Sequence, residues 1–121
     1  MTDVEDKQEN KEAKVLTDVS LINLSRAVKQ GDLQLYMLLN IPTVEIIRLK
    51  FKNDEQQQTE TGLSQKLLLY WKAMRNGAKE GELIRELEAA LGDSGQQDIA
   101  DIVSQRHQIN QEIVPELFVS A

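Results

Sequence analysis

The residues able to do chemistry are few and poorly placed for it. The chain of 121 residues holds a single His, His107, and no Cys. That removes thiol nucleophiles, disulfide frameworks and Cys-based zinc sites together. His107 lacks a second His or Cys to complete a metal site, and beside Arg106 in a charged helical stretch it reads as an exposed surface residue. Carboxylates are plentiful, and Glu82 and Glu86 stand one helical turn apart. Paired acids on a charged helix usually form a solvated face and not an acid/base dyad. The sequence offers no Gly-rich phosphate loop and no Ser-His pairing with an orienting acid, and aromatics to line a pocket are scarce, at 4% of the chain. We therefore expect no enzyme, no cofactor and no metal.

Charge is the more informative property. Lys66, Lys72, Arg75 and Lys79 fall along one stretch, while Glu80, Glu82, Glu86, Glu88, Asp93, Asp98 and Asp101 crowd the next. Arg48, Lys50 and Lys52 make a second basic patch, with Glu55 and Glu60 as candidate acids for it on a neighbour. Solvation of helix faces accounts for any one of these residues; the pattern as a whole predicts one basic and one acidic surface. The formal net charge of −6 argues against nucleic acid, whose phosphates select a dense basic face, and so against a helix-turn-helix reader built on the basic third helix.

The longest apolar run, Leu67 to Trp71, is far short of the roughly 20 residues that cross a bilayer. The polar start, Met1 to Lys14, resembles neither a secretory signal nor a transit peptide, so a cytoplasmic location is expected. The sequon Asn23-Leu24-Ser25 then carries no weight.

The elements that must position these residues are helices. No stretch alternates apolar and polar residues with the period of a strand. The segment 1–16 is charged and poor in large apolar side chains, and predicts a flexible acidic lead-in. Six helices follow within a domain over 17–111. The first runs from about Asp18 to Lys29 with Thr17 or Asp18 as cap, Leu21, Leu24 and Val28 on one face, and Gly31 after it. The second runs from Asp32 as cap through Asn40, carrying Leu33, Tyr36, Met37 and Leu39. The third starts with Thr43 as cap after Pro42, places Val44, Ile47 and Phe51 on one side, and fades at Asn53-Asp54.

After a polar stretch the fourth helix begins near Thr61 or Ser64 and ends at Asn76-Gly77, with Leu63, Leu67, Leu68, Trp71 and Met74 as its inward stripe. Trp71, the lone Trp, at this spacing is core and not a ligand platform. The fifth covers about Lys79 to Leu91, with Leu83, Ile84, Leu87, Ala90 and Leu91 inward and the breaker Gly92 to Gly95 after it. The sixth covers Gln96 to about Gln111, with Ile99, Ile102, Val103 and Ile109 inward. A loosely held tail over 112–121 is expected to close the chain.

The string Leu67-Leu68-Leu69-Tyr70-Trp71, then Asn76-Gly77, then Glu82-Leu83-Ile84-Arg85-Glu86-Leu87, then Gly95-Gln96-Gln97-Asp98-Ile99-Ala100-Asp101-Ile102-Val103 resembles a death domain. The resemblance spans roughly residues 17–110 and is specific in the C-terminal half. In the second helix, where the family commonly has Trp followed by Leu-Ala, this chain has Leu33, Tyr36 and Met37. The resemblance implies an all-α, six-helix antiparallel bundle with Trp71, Leu83, Leu87, Ile99, Ala100 and Val103 at its core positions. It also implies a protein-protein interaction module, an adaptor for homotypic death-fold assembly in apoptosis or innate-immunity signalling. One contact type of that family docks the fourth helix and its following loop on the turn between the fifth and sixth helices of the next molecule. Lys66, Lys72, Arg75 and Lys79 would then meet Glu82, Glu86, Asp93, Asp98 and Asp101 of a neighbour. Such a contact joins unlike surfaces and propagates instead of closing as a pair. The alternative is a helical scaffold or regulatory subunit that binds an amphipathic peptide one-to-one.

Overall fold

The computed structural model describes residues 15–30 and 32–118, and among them it is all-helical, with six α-helices and no strand. The helices are α1 (Asp18–Ala27), α2 (Gln34–Leu38), α3 (Thr43–Glu55), α4 (Glu60–Met74), α5 (Glu80–Asp93) and α6 (Gln97–Ile109), followed by one 3-10 turn, Pro115–Phe118. Their ends follow local chemistry. Thr17 caps α1 by accepting the Ser20 amide at 3.1 Å, and Thr59 caps α4 by accepting the Gly62 amide at 3.0 Å. α4 thus starts earlier than expected. Thr43 does not cap α3; Pro42 holds that position and Thr43 is the first helical residue. Gly77 (φ 98°) and Gly95 (φ 84°) turn the chain after α4 and α5 in the left-handed region that glycine adopts without steric cost, and Asn110 (φ 52°) does the same after α6.

α1 packs on α4, α3 on α4, α2 on α5 and α5 on α6, so the bundle closes around one core. Trp71, Leu67, Leu83, Leu87, Ile99 and Val103 all lie in it, with Leu21, Leu24, Leu35, Tyr36, Ile46 and Leu68. Gln96 is buried in the α5–α6 turn and latches it to the end of α1. Its Oε1 accepts the Lys29 amide at 2.7 Å and its Nε2 donates to Ser94 Oγ at 3.0 Å.

Three expectations are corrected. The domain begins before residue 17: Val15 and Leu16 are buried, and both their amides donate to the Glu80 carboxylate, at 3.1 and 2.9 Å. The rest of the expected flexible lead-in, and Gly31, lie outside the described residues. The tail is also held more closely than expected. Ile113 is fully buried, its amide donating to Ser20 Oγ at 2.9 Å and its carbonyl accepting from Asn23 Nδ2 at 2.9 Å. Thr17 donates to the Glu112 carboxylate at 2.6 Å, and the 3-10 turn lies against α1.

The third correction concerns α3. Val44, Ile47 and Phe51 do share a face, but that face points to solvent, with 68%, 60% and 68% exposed, while Ile46 and Asn53 are buried and Leu49 is half-buried. Two apolar sets at helical spacing compete on this helix, and the bundle buries the one containing Asn53. The Asn53 amide donates to the carbonyls of Gln58 (3.3 Å) and Thr59 (3.0 Å), closing the α3–α4 turn, a role no apolar residue fills. Met37, Met74 and Ile109 are exposed as well. Each sits near the end of a short or terminating helix, where the core no longer covers it.

Candidate interaction surface

The expected basic stretch divides in two once folded. Lys72 Nζ lies 3.0 Å from Asp18 Oδ1, tying α4 to the start of α1. Arg75, the C-cap of α4, forks onto both carboxylate oxygens of Glu86 on α5, Nε to Oε1 at 3.1 Å and Nη2 to Oε2. A fork-on-fork pair of this kind fixes orientation as well as charge. Lys72, Arg75 and Glu86 are thus engaged inside one molecule, which corrects the expectation that α4 and its following loop present a wholly free basic face. Lys66 reaches only neutral groups, Asn53 Oδ1 at 3.4 Å and Gln56 Oε1 at 3.5 Å. Lys79 is exposed and enters no ion pair among the described residues.

On the acidic side, Asp101 accepts from Gln97 Nε2 at 2.9 Å, while Glu82, Asp93 and Asp98 are exposed and meet no cation among the described residues. The acids therefore stand freer than the bases. On α3, Arg48 is paired with Glu45 (2.6 Å) and Lys50 with Asp54 (3.2 Å), while Lys52 is exposed and meets no acid among the described residues. Glu55 is exposed, and the Glu60 carboxylate lies outside the described side chains.

One residue at each end of α5 carries the charge that the helix dipole disfavours. The positive N-terminal end favours anions and the negative C-terminal end favours cations. Yet Lys79 occupies the N-cap, contributing no side-chain cap bond, and Asp93 is the last residue, with no basic residue in that turn. Glu80 and Glu82 in the first turn offset the first of these. Asp93 stands uncompensated.

A cleft of about 520 Å³ opens between the start of α5 and the end of α6 and is lined by Lys79, Glu80, Gly81, Glu82, Arg85, His107 and Asn110. Glu80 in it is committed to the Val15 and Leu16 amides. His107 is exposed on its wall. Among the described residues no three His, Asp or Glu side chains gather so as to hold a metal ion, and no helix is long and apolar enough to cross a membrane.

Sequence reasoning missed two features of this surface. The Glu80 tether has no local signal, because it joins residues 64 and 65 positions apart. The solvent-facing stripe of α3 was visible as a spacing, but its direction depends on which face α4 covers. No family model matches the chain, and no curated protein or solved structure matches it.

Proposed function

We propose that this chain is a protein-protein interaction module of the death-fold type, assembling with other death-fold domains, its own copies included, as a cytoplasmic adaptor in apoptotic or innate-immune signalling. It neither catalyses a reaction nor binds nucleic acid or membrane. The observation that carries the assembly is the polarity of α5. Its exposed ends, Lys79 and Asp93, each carry the charge that their own helix end disfavours. Docking of one molecule's Lys79 on the next molecule's Asp93 and Asp98 supplies the cation that the C-terminal end of α5 lacks. The ends are about 20 Å apart along the helix, so the contact is head-to-tail and extends. The burial of Trp71, Leu83, Leu87, Ile99, Ala100 and Val103, the residues on which the resemblance rests, supports the same reading.

An exposed ion pair contributes about 0.2–1 kcal/mol, so one contact is weak and clustering is what makes it effective. Two substitutions test this without harming the fold, because each suits the helix dipole: Lys79→Glu and Asp93→Lys. In sedimentation across a concentration series the wild type grows in size and each variant stays monomeric. Mixing the two variants restores association, because every junction between unlike variants again pairs a cation with an anion. A wild type that remains monomeric throughout refutes the assembly. The exposed stripe of α3 favours a second, compatible reading: one-to-one capture of an amphipathic peptide.

A further inference from the structure

Asn76 is the one asparagine of the chain that a glycine follows. The Ala78 amide donates to the Arg75 carbonyl at 3.0 Å, so Asn76 and Gly77 are the two middle residues of a four-residue turn between α4 and α5. The peptide joining the middle residues takes no part in the bond that closes such a turn. Among the described residues neither the Gly77 amide nor the Asn76 carboxamide has a hydrogen-bond partner, and Asn76 is exposed. Apart from its chain neighbours, no described atom lies within 4 Å of the point that a Cβ on Gly77 would occupy, so that side of the peptide is open.

These are the conditions under which a backbone amide attacks the side chain before it. We propose that Asn76-Gly77 is a self-modifying site, at which the asparagine converts spontaneously to aspartate and isoaspartate. The Gly77 nitrogen, its proton lost to solvent base, adds to Asn76 Cγ. The new N–Cγ bond closes a five-membered succinimide ring, and the side-chain nitrogen takes up a proton and leaves as ammonia. Water then opens the ring. Cleavage at Cγ gives aspartate on an unchanged chain, and cleavage at the backbone carbonyl gives isoaspartate, whose Cβ passes into the main chain. No oxidant or cofactor is required. The other described asparagines are placed against this chemistry. Leu24, Ile41, Asp54 and Gln111 follow them, each with a side chain that crowds the attack. Asn53 is buried besides, and the Asn23 and Asn53 carboxamides donate to backbone carbonyls.

The product adds one negative charge where the helix dipole opposes it. Position 76 lies just past the C-cap of α4, the helix end that disfavours anions. Asn76 shares a cleft with Lys72 and its partner Asp18, and stands three residues before Lys79. The new carboxylate competes with Asp18 for Lys72 and lowers the positive potential around Lys79. On the head-to-tail reading, on which this consequence rests, ageing of the turn weakens the contact that Lys79 makes.

The test incubates the full chain at neutral and at mildly alkaline pH. Each asparagine is followed by mass and by isoaspartyl methyl acceptance after pepsin digestion in acid, which halts further ring closure. Conversion at position 76 should outpace that at every other asparagine by at least ~tenfold, because only there is the intramolecular attack unhindered. It should quicken with pH as the amide ionises. Asn76→Gln, which needs a six-membered ring, should convert at least ~tenfold more slowly with an unchanged thermal midpoint. Sedimentation then reads the consequence: aged wild type and Asn76→Asp should need a concentration about two- to fivefold higher than fresh wild type to grow. Conversion at position 76 no faster than at Asn23 or Asn110, or equal conversion in Asn76→Gln, overturns the site. Aged chain and Asn76→Asp that grow like fresh wild type overturn its effect on assembly. A fresh wild type that never grows fails the head-to-tail reading, while the mass readout still decides the site.

Discussion

Tyr36 and Trp71 share a property among the core residues: the Tyr36 hydroxyl and the Trp71 indole N–H are buried and make no well-formed hydrogen bond among the described residues, the Ser64 hydroxyl standing near the Tyr36 phenol without closing one. A buried polar atom left unpaired costs about 1–3 kcal/mol. Tyr36→Phe removes one such atom while keeping the ring, and should raise the unfolding free energy by about 1 kcal/mol, read from urea denaturation. Burial also pushes the Tyr36 phenol up from 10.0 to about 12; the adjacent Ser64 hydroxyl moderates the shift and the Asp32 charge adds to it. The sign for stability follows directly. Between pH 10.0 and about 12 the unfolded chain releases this proton and the folded chain keeps it, so stability present at lower pH is lost as pH rises through that window. The slope is at most about 1.4 kcal/mol per pH unit. Denaturation curves across the window should be flatter for Tyr36→Phe than for the wild type. Trp71 behaves differently, because its loss removes packing on every side. Trp71→Ala should cost about 3–5 kcal/mol, a large part of the roughly 5–15 kcal/mol that holds a domain of this size, and the far-UV helix signal should fall accordingly.

At the scale of elements, α3 separates what spacing reveals from what it leaves open. The inward stripes of α4 and α5 were legible because each has one dominant apolar set, Leu63, Leu67, Leu68 and Trp71 on the first and Leu83, Ile84, Leu87, Ala90 and Leu91 on the second. α3 has two sets of equal spacing, Val44, Ile47 and Phe51 against Ile46, Leu49 and Asn53, and the second is the buried one. The deciding group is Asn53, whose value lies in closing a turn with carbonyls five and six residues away. A hydrophobic pattern does not register it. The two candidate faces make a sharp comparison. Ile46→Ala should cost about 2–5 kcal/mol, whereas Ile47→Ala, on the solvent side, should stay within about 0.5 kcal/mol of wild type in thermal or chemical denaturation. The candidate surface was legible as a list of charges but not as a set of partners. Arg75 and Glu86, or Lys72 and Asp18, become neighbours only when helices distant in the chain meet.

For the whole molecule, the ion pairs make a prediction about salt. Arg75–Glu86 and Lys72–Asp18 hold helices together within one copy, and their side chains are about a third or more exposed, so each contributes little to stability. Raising ionic strength from low values to about 0.5 M should therefore leave the melting temperature nearly unchanged, while head-to-tail growth seen by sedimentation disappears, because the Lys79 to Asp93 attraction acts between solvated surfaces. A melting temperature that falls in step with assembly would show that the two depend on the same contacts.

Thr17, the cap of α1, and Ser20 within it are bonded to Glu112 and Ile113, so the backbone entering α1 and the backbone leaving α6 run side by side. A fold with neighbouring ends is a cassette. It can be inserted into a surface loop of a host, or threaded repeatedly on a chain, without separating the points to which it is attached. It also tolerates being cut and rejoined: linking residue 118, beside Arg26 and Ala27, to residue 15 through a spacer long enough to run back along α1, about 15 Å, and opening new ends in the exposed 56–58 turn, should return the same bundle.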